Sequence, residues 1–367
     1  LRSDEMKKVH HPVFIVGGFF DIFAPDESRI ASELPRHARD VSIVLGPWTH
    51  AGPAAMQGEL VYPRDAALPS LDDEERAYFA WCLRGAARPV LPAVRYYLSE
   101  LGEREHDKFA MRGEWRTSER WPPAQTHAVS LFLAPDHGLA TQTAAGAPVA
   151  LELDPSDPMP TRGGGNFSTP AGPFEQSELD RRRDVYVATT APLTSPLELV
   201  GTPRAFVWAA STTDDLDVVV RFEQVTPDGE VVAFADGLRR GRFVQGDDAI
   251  RPLKPGEPTL FAVELGPIAL RVREGSALRI AISGASSPRY EPNPNRALPL
   301  STAAAPVAAT LSLYLDPAHP SRLELPLLRG ALPTGSPPRG ILSHGWALLA
   351  LVAGIVAAGV RFRRRKT

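Results

Sequence analysis

Two uninterrupted apolar runs stand near the start of the chain, "VFIVGGFF" at Val13–Phe20 and "VSIVL" at 41–45. Between them "APDESRIASELPRHA" predicts a helix with Asp26 and Glu27 in its first turn. Strands apolar on both faces and joined by a helix are the sequence form of a parallel βαβ unit. A second helix is expected over "DDEERAYFAWCLRGA", acidic at its start and with Gly85 near its end. From about residue 91 the pattern shortens to alternating runs such as "AVRYYL", "AVSLFLA", "DVYVATT" and "ALRIAIS", parted by Pro, Gly and Asp clusters without intervening helices. That spacing predicts an antiparallel sandwich of jelly-roll type. Within it "TPDGE" at 226–230 predicts a hairpin turn, and the consecutive Val218, Val219 and Val220 predict a strand covered on both faces.

The end of the chain breaks the pattern again. A Pro/Gly spacer at 329–340 leads into "ILSHGWALLALVAGIVAAGV" at 341–360, which is long and apolar enough to predict one transmembrane helix, with Trp346 at its interface. The tail 361–367, with Arg361, Arg363, Arg364, Arg365 and Lys366, predicts a cytoplasmic C-terminus, and so a single-pass membrane protein with its other domains outside.

Composition narrows the classes. The 367 residues carry a net charge of −3 and no basic block before the extreme end, so nucleic acid is not an expected partner. The single cysteine, Cys82, excludes an intramolecular disulfide framework and is expected buried in its helix. The histidines show no ligand spacing, so no metal and no cofactor is expected.

Candidate chemistry sits where the two apolar runs end. Asp21 follows the first directly, and His50 follows the second through "GPWT". Ligands of open parallel sheets bind beyond the carboxyl ends of the strands, so the two can meet there as a carboxylate orienting an imidazole. The order Asp then His is that of the last two triad members of an α/β-hydrolase. An N-cap role for Asp21 and a loop role for His50 fit the same residues.

The motifs "GGFFDIF", "GPWTH", "DPSDPMPTRGG" (154–164), "SPLELVGTPRAFVWAASTTDDLDVVVRFEQVTPDGE" (195–230), "SSPRYEPNPN" (286–295) and "HPSRLELPL" (319–327) resemble the cocaine esterase and X-prolyl dipeptidyl aminopeptidase group of serine hydrolases over residues 10 to 328. The resemblance implies the C-terminal part of an α/β-hydrolase domain at 1–90, with Asp21 as triad acid and His50 as general base, followed by a jelly-roll β-sandwich at 91–328. It implies that Trp48 packs under the histidine and that 154–164 is a structural loop tying domains together. It also places the nucleophilic serine upstream of the acid. No Gly-x-Ser-x-Gly occurs in these 367 residues, so the chain, which begins at Leu1, is expected to be an inactive piece of a longer enzyme. "LPTGS" at 332–336 is similar to a cell-wall sorting signal that lacks one residue, which makes a retained membrane anchor the expected reading.

The expected function is hydrolysis of an ester or amide bond in a small-molecule ester or peptide, X-Pro dipeptides and acylated β-lactams included, through an acyl-enzyme. A non-catalytic surface protein whose jelly roll binds carbohydrate or protein is the alternative.

Overall fold

The computed structural model describes residues 3–36, 38, 40–167, 170–299 and 305–333. The first apolar run forms β1 (Val13–Phe20), and the next segment forms α1 (Ala24–Glu33), which opens with Pro25 in its first turn and gives way to a 3₁₀ turn at Leu34–Arg36. β2 runs over Val41–Thr49, four residues beyond the apolar run, because Gly46 and Pro47 continue the extended backbone. β1 and β2 pair in parallel from Val13↔Val41 to Gly18↔Gly46, with an irregularity before Phe20↔Thr49. This register brings Asp21 and His50 to the same end of the sheet.

α2 (Leu71–Arg84) ends at Gly85 in the left-handed conformation. It buries Leu71 and Tyr78, whereas Phe79, Cys82 and Leu83 are exposed. The expectation of a buried Cys82 is thus corrected: the thiol lies on an apolar helix face turned away from the core.

β3 (Val94–Glu105) joins two regions. It extends the parallel sheet through Ile43↔Val94 and Leu45↔Tyr96, then pairs in antiparallel with β4 (Lys108–Ser118). Further along, Ser99 and Glu100 pair with β9 (Ile268–Val272), which itself pairs with β6 (Leu197–Gly201) of the sandwich. One 15-stranded sheet therefore runs from the βαβ unit into the β-rich region. Across the core lies a four-stranded sheet in the order β5 (Val185–Thr189), β10 (Ala277–Ser283), β7 (Asp217–Val225) and β8 (Val231–Arg240). The β7–β8 hairpin turns on Gly229 at φ +88°, as the Asp-Gly pair predicts.

Both faces of β7 are closed. Val218, Val220 and Phe222 enter the main core, while Val219 is buried on the opposite face. That opposite face also holds an ion network in which Arg221 donates to Asp180 (2.6 Å) and Glu223 (2.8 Å), and Arg279 donates to Asp180 (2.9 Å).

Strands make up 42% of the described residues and helices 12%, and the α/β portion is confined to the first part of the chain. The expected fold class, α/β followed by all-β with one transmembrane helix, is corrected to a predominantly β protein opened by a βαβ unit. Among the described residues no helix is long and apolar enough to cross a membrane. The 14-residue α2 measures about 21 Å at 1.5 Å per residue, short of a hydrocarbon core of about 30 Å. The stretch 341–360, the basic tail and the LPTGS threonine lie outside the described residues. The single-pass, outward-facing localisation and the membrane as a partner are corrected with it.

Candidate active site

β1 ends in two glycines and two buried phenylalanines before the chain turns at Asp21. The turn is tight: the Asp21 N–H donates to Gly18 O (3.0 Å), the Ala24 N–H to Asp21 O (3.2 Å) and the Phe23 N–H to Asp21 Oδ1 (3.0 Å). The residue at the N-cap of α1 is Phe23, without a side-chain cap. The Asp21 carboxylate is held instead against the imidazole of His50, whose Nδ1 lies 3.1 Å from Oδ2 and 3.2 Å from Oδ1. Sequence reasoning proposed this pair, and the fold brings it together.

His50 is placed by the end of β2. The Thr49 N–H donates to Gln57 Oε1 (2.8 Å), and Gln57 Nε2 donates to the carbonyls of Ala54 (2.9 Å) and Gly52 (3.2 Å). Gln57 is itself buried, so residues 49–54 have one defined path. With Asp21 ionised, Nδ1 carries the proton and donates to the carboxylate, which leaves the Nε2 lone pair free. The Asp21 side chain is 13% exposed and that of His50 44%, an arrangement suited to taking a proton from an approaching nucleophile.

The rings flanking His50 are Phe167, 4.3 Å between centroids, and Phe23, 5.6 Å, both edge-on. Trp48 does not lie under the imidazole as expected. It points to the other side of β2, 2% exposed, against Trp115, with Nε1 donating to Ala66 O (3.0 Å). Gly46 is why it fits: a Cβ there would fall 2.3 Å from the indole.

Phe167 follows the 154–164 segment, whose end is held by backbone hydrogen bonds. Gly164 and Gly172 exchange backbone hydrogen bonds of 2.8 and 2.9 Å, and the Glu59 N–H donates to Pro173 O (2.9 Å). Gly165 abuts the acid turn, where an added Cβ would lie 2.8 Å from Asp21 O. Between this segment and the turn lies a cleft lined among others by Asp21, Gly163, Gln176, Arg221 and Arg289. Ser276 and Ser286, which stand in "EGSAL" and "GASSP", do not join the pair: Ser276 is buried and accepts from Gln224 (3.2 Å), while Ser286 bonds Thr161 (3.0 Å).

Three contributors were not singled out in the sequence. Gln57 carried no signal in its motif. Phe167 follows "RGGGN", where the glycine run alone hinted at a close approach. Glu27 was read only as a first-turn acid, whereas burial, with the Asp21 charge acting in the same direction, pushes its carboxyl up to about 7.

Residues 90–324 match the family described as the X-Pro dipeptidyl-peptidase C-terminal non-catalytic domain; Asp21 and His50 precede the matched region. Over 339 residues the chain is 25% identical to the cocaine esterase of Rhodococcus sp. (strain MB1 Bresler), an alignment covering 87% of this chain and 56% of that protein. The fold is similar to that of an aminopeptidase from the marine sediment archaeon Thaumarchaeota archaeon, with a TM-score of 0.74 and 23% identity over 87% of this chain and 55% of the other. It is also similar to an α-amino acid ester hydrolase, with a TM-score of 0.72 and 22% identity over 89% of this chain and 57% of the other. The chain thus spans little more than half the length of these relatives.

Proposed function

We propose, from the premise that this chain belongs to the cocaine esterase and X-prolyl dipeptidyl-peptidase family of hydrolases, that Asp21 and His50 are the acid and general base of a serine hydrolase. The observation that carries the reading is the contact of His50 Nδ1 with both Asp21 oxygens, which leaves Nε2 free toward solvent. Nε2 takes the proton of a serine hydroxyl as that oxygen attacks the acyl carbon. Asp21 stabilises the imidazolium, which then protonates the leaving alcohol or amine. A water activated by the same nitrogen releases the acyl group from the serine. The serine and its oxyanion donors belong to the length of the relatives that this chain does not span. The substrate class is a small ester or peptide, in keeping with the esterase and aminopeptidase names of the relatives.

The test is reaction of the full-length protein with a fluorophosphonate. Labelling in the wild type that slows by about 10³-fold or more in His50→Ala is expected, and equal labelling of the two overturns the assignment.

A further inference from the structure

Behind the dyad sits a carboxyl group that the triad has no use for. Glu27 lies on the first turn of α1, and its side chain leans back toward the helix N-terminus over the end of β1. Its carboxyl group occupies the space a side chain at position 17 would fill: a Cβ on Gly17 would come 2.3 Å from Glu27 Oε2 and 2.9 Å from Cδ. Leu45 Cδ2 forms another wall, 3.2 Å from the same point. Oε2 is sealed from solvent and has no hydrogen-bond partner among the described residues. An orphaned, dehydrated carboxylate oxygen is costly to keep unless charge nearby makes use of it.

The charged groups acting on Glu27 are Asp21 at the end of β1, His50 at the end of β2 and Asp26 beside it on α1, while the Gly18 N–H supplies a hydrogen bond that favours its anion. His50 in turn faces Asp21 and the uncharged rings of Phe23 and Phe167. We propose that Glu27 is a positioning residue of this site: a second carboxylate, held dry in the Gly17 niche, that together with Asp21 stabilises the His50 imidazolium as the nucleophile loses its proton. The proposal rests on the hydrolase reading above. No bond is made or broken at Glu27; its part is electrostatic, and its burial limits the solvent screening of its charge. Its carboxyl is pushed up to about 7 by burial first and by Asp21 next, so the charge it supplies is present above that pH.

The first readout needs no catalysis: the NMR titration of the His50 imidazole in this chain, assigned by loss of the signal in His50→Gln. Glu27→Gln is expected to lower the His50 midpoint by about half a pH unit, since the imidazolium loses a counter-charge. Asp26→Asn is expected to lower it less. Gly17→Ala, which displaces the carboxyl without changing the net charge, is expected to act like Glu27→Gln and keeps the test open if that variant misfolds. In the full-length enzyme the acid limb of kcat/KM should move by the same amount and the plateau fall by about three- to tenfold, with KM little changed. An unshifted midpoint in both Glu27→Gln and Gly17→Ala, with His50→Ala inactive, overturns this proposal alone. A His50→Ala enzyme that keeps its rate overturns the hydrolase reading and this proposal with it.

Discussion

Phe167, borne by a loop of the β-rich region, stands edge-on to the imidazole of His50 with 4.3 Å between ring centroids. The sandwich thereby supplies a wall of the site that the βαβ unit builds. Phe167 is 59% exposed, so it is not there for the core. Replacing it by Ala should change stability by no more than about 0.5 kcal/mol. Michaelis kinetics of the full-length protein should show a raised KM for apolar esters with kcat within a few-fold of wild type. A variant with unchanged KM would remove Phe167 from the substrate's path.

Gly46 and Trp48 form a second linked pair. An alanine methyl at 46 would overlap the indole, which is enclosed by Val44, Leu68 and Leu71 and cannot swing out freely. Gly46→Ala should cost about 1–3 kcal/mol through overpacking. Gly18→Ala should cost more, because its Cβ would meet the backbone carbonyl of Trp48 at 2.3 Å, where no side chain can rotate away. Urea melts of the two variants check this, and a neutral Gly46→Ala would contradict it.

The pH dependence of stability follows from Glu27. Its folded carboxyl titrates at about 7 against an ordinary value of 4.5, so between these limits the folded state binds more protons than the unfolded chain. Stability from this group is present below about pH 4.5 and is lost as pH rises through 7. Thermal melts from pH 5 to pH 8 should show Glu27→Gln gaining on the wild type as pH increases. A gap between the two that stays constant with pH would contradict the assignment.

Val218, Val219 and Val220 are 0%, 1% and 0% exposed. Because β7 is closed on both faces, an Asp at any of the three buries an unpaired charge and should cost several kcal/mol, on the order of 3 or more. An exposed face at any one position would show itself as an unchanged melting temperature for that variant.

The sequence made the Asp21–His50 meeting legible because parallel strands in register end side by side, and Val13↔Val41 pairing carries 21 and 50 to one edge. The bounds of β1 were legible for the same reason: an apolar run flanked by polar residues has few alternatives. β2 was read short because "GPW" looks like a turn, whereas Gly46 is there to clear room for Trp48. β3 alternates as a sandwich strand does, which hid its parallel pairing to β2. Phe167 and the Glu27 niche were out of reach, since one is a contact over more than a hundred residues and the other is a space left by a missing side chain. The apolar stretch 341–360 invited a membrane reading from hydropathy alone, and no described helix supports it.

The central claim is that His50, oriented by Asp21, is the general base of an acyl-transferring hydrolase. It is tested most directly by kcat/KM of the full-length protein on its best ester or X-Pro substrate, wild type against His50→Ala, with folding confirmed by circular dichroism. The account predicts a loss of about 10⁴-fold with the fold intact. Retention of more than about a tenth of the wild-type value, far above what a missing triad base permits, would contradict it.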